Sequence, residues 1–136
     1  MSTKQSIHFV VLGEPASKAN SRRHVNINGI SRSIKSSKAL NYERLFQMQC
    51  PQVEPPITKD VRVTMRIFYA SRRPDLDESL ILDCMQSRDI KHRKTKEVLG
   101  IAHNVYKNDR QVKEKHIFWS LDKENPRTEI IVEEIG

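Results

Sequence analysis

The chain has 136 residues, 37% of them hydrophobic and 30% charged, and a formal net charge of +7. That length suits one domain, residues 1–136, with one core, and no apolar run is long enough to span a bilayer. Cys50 and Cys84 stand apart without CxxC spacing, which argues against a disulfide framework or zinc site and for two reduced, buried thiols.

The opening stretch, MSTKQSIHFVVLGEP, has only a short apolar run and no cleavage-type tail, so no signal peptide is expected and the protein is read as cytoplasmic. Within it IHFVVL, residues 7–12, predicts a buried strand ended by Gly13 and Pro15. The loop GEPASKANSRR follows, and HVNINGISRSI alternates around Asn28-Gly29, a hairpin-turn signal. Ser36 or Ser37 caps a helix expected from Lys38 to Cys50, with Leu40, Leu45, Phe46 and Met48 as an imperfect apolar side. VEPPIT is a linker that no helix crosses.

VRVTMRIFYA, residues 61–70, alternates cleanly. Val61, Val63, Met65 and Ile67 face one way and Arg62, Thr64 and Arg66 the other, a half-exposed strand with a basic outer face. Pro74 turns the chain at Arg73. A helix is expected from Asp75 or Asp77 through LDESLILDCMQ, with Leu80, Ile81, Cys84 and Met85 at core spacing. Residues 87–104 are basic and lack clear periodicity, so an irregular excursion or a short helix plus loop is expected there. VKEKHIFWSL and TEIIVEEI predict two strands, joined by DKENPR as an antiparallel hairpin. The elements together suggest a mixed sheet with two helices packed on it, in the α+β or α/β class.

Charge is unevenly spread. Residues 1–50 carry eight Lys/Arg against two Asp/Glu, residues 75–89 one against five, and residues 90–116 eight against three. Basic stretches attract polyanions; an acidic island between them opposes phosphate binding unless a cation occupies it. Its centre is RRPDLDE. Asp75 and Asp77 could cap the following helix, but with Glu78 they place like charges together, which costs free energy unless something neutralises them. Mg²⁺ does so with one to three carboxylates when phosphate completes its shell. Asp109 in NVYKNDRQV offers a third carboxylate, or a turn aspartate bonding its own backbone. Asp83 and Asp89 read as surface residues. The five histidines show no metal spacing, and with four glycines there is no phosphate loop. Tyr69 and Tyr106 could stack on bases but fit core packing better.

Three blocks in order, GEPASKANSRR, RRPDLDE and VYKNDRQV with its following strands, resemble the RusA family of Holliday junction resolvases, small endodeoxyribonucleases of phages and prophages. The resemblance spans most of the chain. It implies a RusA-like fold in which Asp75, Asp77 and Asp109 are the catalytic carboxylates and bind Mg²⁺ or Mn²⁺. It also implies a homodimer acting on four-way DNA junctions in a bacterial host cell, with Arg72 and Arg73 beside the phosphates. Among the other cations of these blocks, Lys18, Arg22, Arg23 and Lys107 are expected to face the DNA. Two departures stand out. Ile81 occupies the position, one turn after the second aspartate, where the family commonly has lysine, with Lys107 the nearest substitute in the motif blocks, and Glu78 replaces a usual asparagine. The basic stretch 87–104 has no counterpart in the resemblance; its charge suggests a DNA-contacting excursion. The alternative to a nuclease is a non-catalytic phage-type nucleic-acid-binding module whose carboxylates only cap and turn.

Overall fold

The structure, a computed structural model, describes residues 4–17, 20–102 and 104–136. Its framework follows from the alternating segment Val61–Tyr69, strand β4, in which Val61, Val63, Met65, Ile67 and Tyr69 are buried on one face. Beside it lie β1 (Ser6–Leu12), β7 (Val112–Leu121) and β8 (Arg127–Glu134), in the order β1-β8-β4-β7. β8 runs antiparallel to both its neighbours, and β7 runs parallel to β4. Two antiparallel ribbons stand apart from this sheet: β2 (Arg22–Ile27) with β3 (Ile30–Lys35), and β5 (Arg88–Lys91) with β6 (Val98–Ala102). Helices α1 (Ser37–Gln49) and α2 (Ser79–Cys84) complete the mixed α+β architecture, and the core joins Tyr42, Phe46, Ile81 and Met85 to the buried face of β4 and β8. No helix among the described residues is long and apolar enough to cross a membrane.

The expected β7–β8 hairpin does not form, because β4 lies between the two strands. A connection that crosses the end of β4 makes this possible. Asp122 N–H donates to the Tyr69 carbonyl at 2.9 Å, Arg127 pairs with Asp122 at 2.7 Å, and the Arg127 guanidinium lies 3.8 Å from the Phe68 ring centroid. The parallel β4–β7 pair requires a long crossover, which residues 70–111 supply.

The other departures have local causes. β1 is an edge strand, so only Val11 is buried while Val10 and Leu12 stay exposed. In α1 the buried residues are Ala39, Tyr42 and Phe46, at helical spacing, with Phe46 edge-to-face against Phe9; Leu40, Leu45 and Met48 are exposed, Met48 at 82%. Ser36 caps the helix, its Oγ accepting from Ala39 N–H at 3.2 Å. Of the stretch expected to be an irregular excursion or a short helix plus loop, residues 88–102 form the β5–β6 ribbon. The Asn28-Gly29 turn is as expected, both residues at positive φ (51° and 79°), the geometry that two-residue hairpin turns demand. The outer face of β4 is basic in sequence but largely compensated. Arg62 pairs with Glu114 at 2.9 Å and approaches Glu133 at 3.9 Å, and Arg66 lies 4.9 Å from the Phe118 ring centroid. Cys50 and Cys84 are free and buried, and burial pushes each thiol pKa up to about 12.

Candidate functional site

The loop after β4 is held from below. Tyr69 is buried at the strand's end; its hydroxyl donates to the Asp75 carbonyl at 3.2 Å and accepts from Asp77 N–H at 3.3 Å. Burial raises the pKa of this hydroxyl, so it keeps the proton it donates. Trp119, stacked on Tyr69 at 6.1 Å, donates through Nε1 to the Pro74 carbonyl at 3.2 Å. Two aromatic side chains of the sheet thus fix the backbone on which Asp75 and Asp77 sit.

α2 begins later than the sequence suggests. Asp75, Leu76 and Asp77 precede it, and the cap position, Glu78, makes no side-chain capping bond. Asp77 does the local work instead: Oδ1 accepts from Ser79 N–H at 3.0 Å and from Ser79 Oγ at 2.6 Å. Its Oδ2 has no protein partner among the described residues.

Asp109 opens a single 3-10 turn, Asp109–Gln111, fixed by a capping box between Asn108 and Gln111. Gln111 Nε2 donates to the Ile57 and Lys59 carbonyls at 2.7 and 2.9 Å, and Asp109 N–H donates to Gln86 Oε1 at 2.9 Å. These bonds hold the backbone and leave the Asp109 carboxylate exposed, with no hydrogen bond or ion pair among the described residues. Tyr106, fully buried just upstream, donates to the Leu82 carbonyl at 2.5 Å and ties this segment to α2. Burial, and then the nearby Asp109 charge, raise its hydroxyl pKa. Tyr69 and Tyr106 are therefore core anchors, not faces on which a base could stack.

Asp77 and Asp109, 32 residues apart in sequence, line one open depression of about 550 Å³. Asp83, Ser79, Lys35 and Arg22 line it with them. Lys35 binds Glu43 and lies 3.6 Å from Asp83 Oδ2; the hydrogen bond to Glu43 is the main reason its pKa is raised. Asp75 does not share this depression. It lines a neighbouring recess of about 350 Å³ with Glu14, Lys38 and Arg73. The expected trio of Asp75, Asp77 and Asp109 is thus split two against one. Among the described residues no three His, Cys, Asp or Glu side chains lie close enough together to hold a metal by themselves.

The cations divide in the same way. Arg22 is at the depression and Arg73 at the Asp75 recess, while Arg72 and Lys107 are exposed and line neither. Arg23 is exposed and, by strand alternation, lies on the opposite ribbon face from Arg22. Lys18 lies outside the described residues. Ile81 is wholly buried in the core, so the position one turn after Asp77 does not supply a cation here, and Lys35 rather than Lys107 is the lysine at the carboxylates.

Lys35 is the residue that sequence reasoning missed; Asp83, read as a surface residue, is exposed and lines the depression as well. Lys35 was findable: the Asn28-Gly29 turn sets the register that pairs it with Arg22.

No protein-family model matches the chain, and no curated protein matches it.

Proposed function

We propose that this depression is a metal-assisted phosphodiester-hydrolysing site and that the protein is a RusA-like endonuclease acting on branched DNA, four-way junctions in particular. The observation that carries the reading is the convergence of Asp77, Asp83 and Asp109 on one opening whose lining also carries Arg22 and Lys35. Carboxylates that share an opening repel one another and any phosphate, whereas the same carboxylates with a divalent cation attract one.

The donor set fits Mg²⁺ or Mn²⁺ bound in part by protein. Mg²⁺ is commonly held by one or two carboxylates, with phosphate oxygens and waters completing its shell, and Asp77 Oδ2 and the Asp109 carboxylate are the unengaged oxygens. When bound, such an ion lowers the pKa of a water and offsets charge on the departing oxygen. The protein's own groups do the rest. Ser79 fixes the rotamer of Asp77. Lys35 balances Asp83 and Glu43. Arg22 offers forked donors to a flanking phosphate. Asp75 contributes through its carbonyl, which helps Tyr69 hold the loop, and it lines a second recess together with Arg73 and Lys38. A homodimer would present two such sites and cut opposing strands in pairs.

Cleavage of labelled four-way junctions in Mg²⁺ or Mn²⁺ tests this. Asp77→Asn and Asp109→Asn should each lower the rate by at least the ~100-fold that loss of an outer-shell partner alone can cost at a metal site. Asp75→Asn should be the mildest of the three. Unchanged cleavage in the Asp109 variant would remove the site assignment. One observation favours the second reading, a binding module without catalysis: Asp77 is engaged with Ser79 as a local turn aspartate. Tight junction binding with no cleavage by the wild type in either metal would establish that reading instead.

A further inference from the structure

The β5–β6 ribbon is rooted beside the depression. Arg88, its first residue, shares a small recess with Lys35 and Asp83. Its base is tied to the end of α2, where Asn104 Nδ2 donates to the Cys84 and Gln86 carbonyls at 3.0 and 3.1 Å, and Ser87 N–H to the Tyr106 carbonyl at 2.8 Å. From there the ribbon runs out to a turn, HRKTKE, whose backbone is closed by its own hydrogen bonds. His92 N–H donates to the Glu97 carbonyl at 2.8 Å and Lys96 N–H to the His92 carbonyl at 3.0 Å. His92 Nδ1 accepts from the amides of Lys94 and Thr95 at 3.1 and 3.2 Å.

The turn therefore has a defined shape, and it displays Lys91, Arg93, Lys94 and Lys96, all exposed and none ion-paired among the described residues. Cations clustered on an ordered turn repel one another and stay solvated unless a polyanion meets them. A lipid surface is the poorer partner for the tip of the ribbon. Membrane-docking segments place Trp, Phe or Leu at the membrane interface, whereas residues 92–97 contain no apolar side chain. The exposed Ile90, Val98 and Leu99 lie behind the tip, on the stem; the vesicle measurement below decides whether those three matter.

The geometry points to the β5–β6 turn as a phosphate clamp that grips duplex DNA a short way from the cleavage site, using Lys91, Arg93, Lys94 and Lys96. This rests on reading the depression as a nucleic-acid site. The ribbon stem is about four residues long, or roughly 14 Å at strand spacing, which corresponds to about four nucleotides along one strand. The clamp would hold a junction arm at that distance while Asp77 and Asp109 face the scissile phosphate.

Binding of a labelled four-way junction in EDTA, titrated from 50 to 200 mM salt, tests the clamp without any hydrolysis. The slope of log K against log salt becomes shallower by about 0.9 for each phosphate that the protein no longer neutralises. The variant Lys91→Gln/Arg93→Gln/Lys94→Gln/Lys96→Gln should therefore have a slope shallower by about 3 to 4, and the milder Arg93→Gln/Lys94→Gln, which disturbs the turn less, by about half that. A charge-matched control, Lys4→Gln/Arg44→Gln/Lys113→Gln/Lys123→Gln, should stay within about one of wild type. Equal slopes in the four-fold variant and wild type, or an equal fall in the control, would overturn the clamp. So would loss of binding to phosphatidylserine vesicles with the DNA slope unchanged. A tip-dependent slope in a protein that never cleaves would keep the clamp and reject the nuclease; cleavage with a tip-independent slope would do the reverse.

Discussion

Tyr69 carries two kinds of consequence. Its ring closes the core at the end of β4, and its hydroxyl bonds the backbone on both sides of Leu76. The hydroxyl can do this only while protonated, and its pKa is raised by burial, so the loop bearing Asp75 and Asp77 stays tied down through the neutral range. The same physics, at the buried thiols as at the buried tyrosines, adds to the protein's sensitivity to alkali. Cys50 and Cys84 ordinarily ionise near 9, and burial holds both near 12 in the folded chain. A raised folded pKa means that the folded state binds more protons than the unfolded one above pH 9. The thiols' contribution is therefore complete below pH 9 and is lost as pH rises toward 12. Urea unfolding midpoints should be level with respect to these groups up to pH 9 and fall between pH 9 and 12. The fall should be shallower in Cys50→Ala/Cys84→Ala. A fall of the same steepness in that variant would place the alkaline sensitivity elsewhere.

At the scale of elements, packing decides between residues that hydropathy ranks alike. In α1, Leu40, Leu45 and Met48 are apolar like Phe46, yet of these four the helix turns only Phe46 inward, together with Ala39 and Tyr42, where Phe46 meets Phe9 from the edge strand. Phe46→Ala should cost about 3–5 kcal/mol and Met48→Ala within about 0.5 kcal/mol, as read from chemical unfolding. Similar losses at both positions would mean that the helix packs on the other face. This is also where legibility in the sequence divides. The alternation of Val61 to Tyr69 and the Asn28-Gly29 turn were readable because each is a local rule with one outcome. The partner of β7 was not, since it depends on a connection held over the end of β4 by Asp122, Arg127 and Phe68, three residues that look like ordinary turn and strand composition. The β5–β6 ribbon was hidden because its turn is built by a histidine ring accepting amides rather than by a glycine or asparagine. In the candidate site, Asp77 and Asp109 could be picked out by motif, and both line the same depression. Asp75 could be picked out equally well, yet it lines another recess, because residues 75–78 form no strand and so lack the two-residue alternation that would put both side chains on one side.

Across the whole molecule, the charge pattern takes on a spatial sense. The acidic stretch 75–89 and the basic segment 1–50 come together at one place, where Arg22 and Lys35 from one ribbon line a depression with Asp77, Asp83 and Asp109, and Arg88, at the foot of the other ribbon, shares a smaller recess with Lys35 and Asp83. The two ribbons are separate from the four-stranded sheet, and both contribute cations to recesses that share Lys35 and Asp83. The net charge of +7 thus includes cations at the site and on the β5–β6 turn, while cations on the sheet's outer face, such as Arg62, are compensated by acidic neighbours.

The position of β8 also governs when this protein can fold. The last strand in chain order sits between β1 and β4, with Ser6 opposite Glu133 and Val61 opposite Glu134. β1 has no other partner in the sheet among the described residues, so during synthesis it waits until residues 127–134 have been made. β4 and β7 can pair earlier, but the edge of β4 opposite β7 stays open until β8 leaves the exit tunnel. Pairings so distant in sequence are slow to close, and an unpaired strand edge invites contact with other chains. Nascent chains stalled with β8 still inside the tunnel should remain sensitive to protease over β1, and a short extension that releases β8 should make β1 resistant in one step.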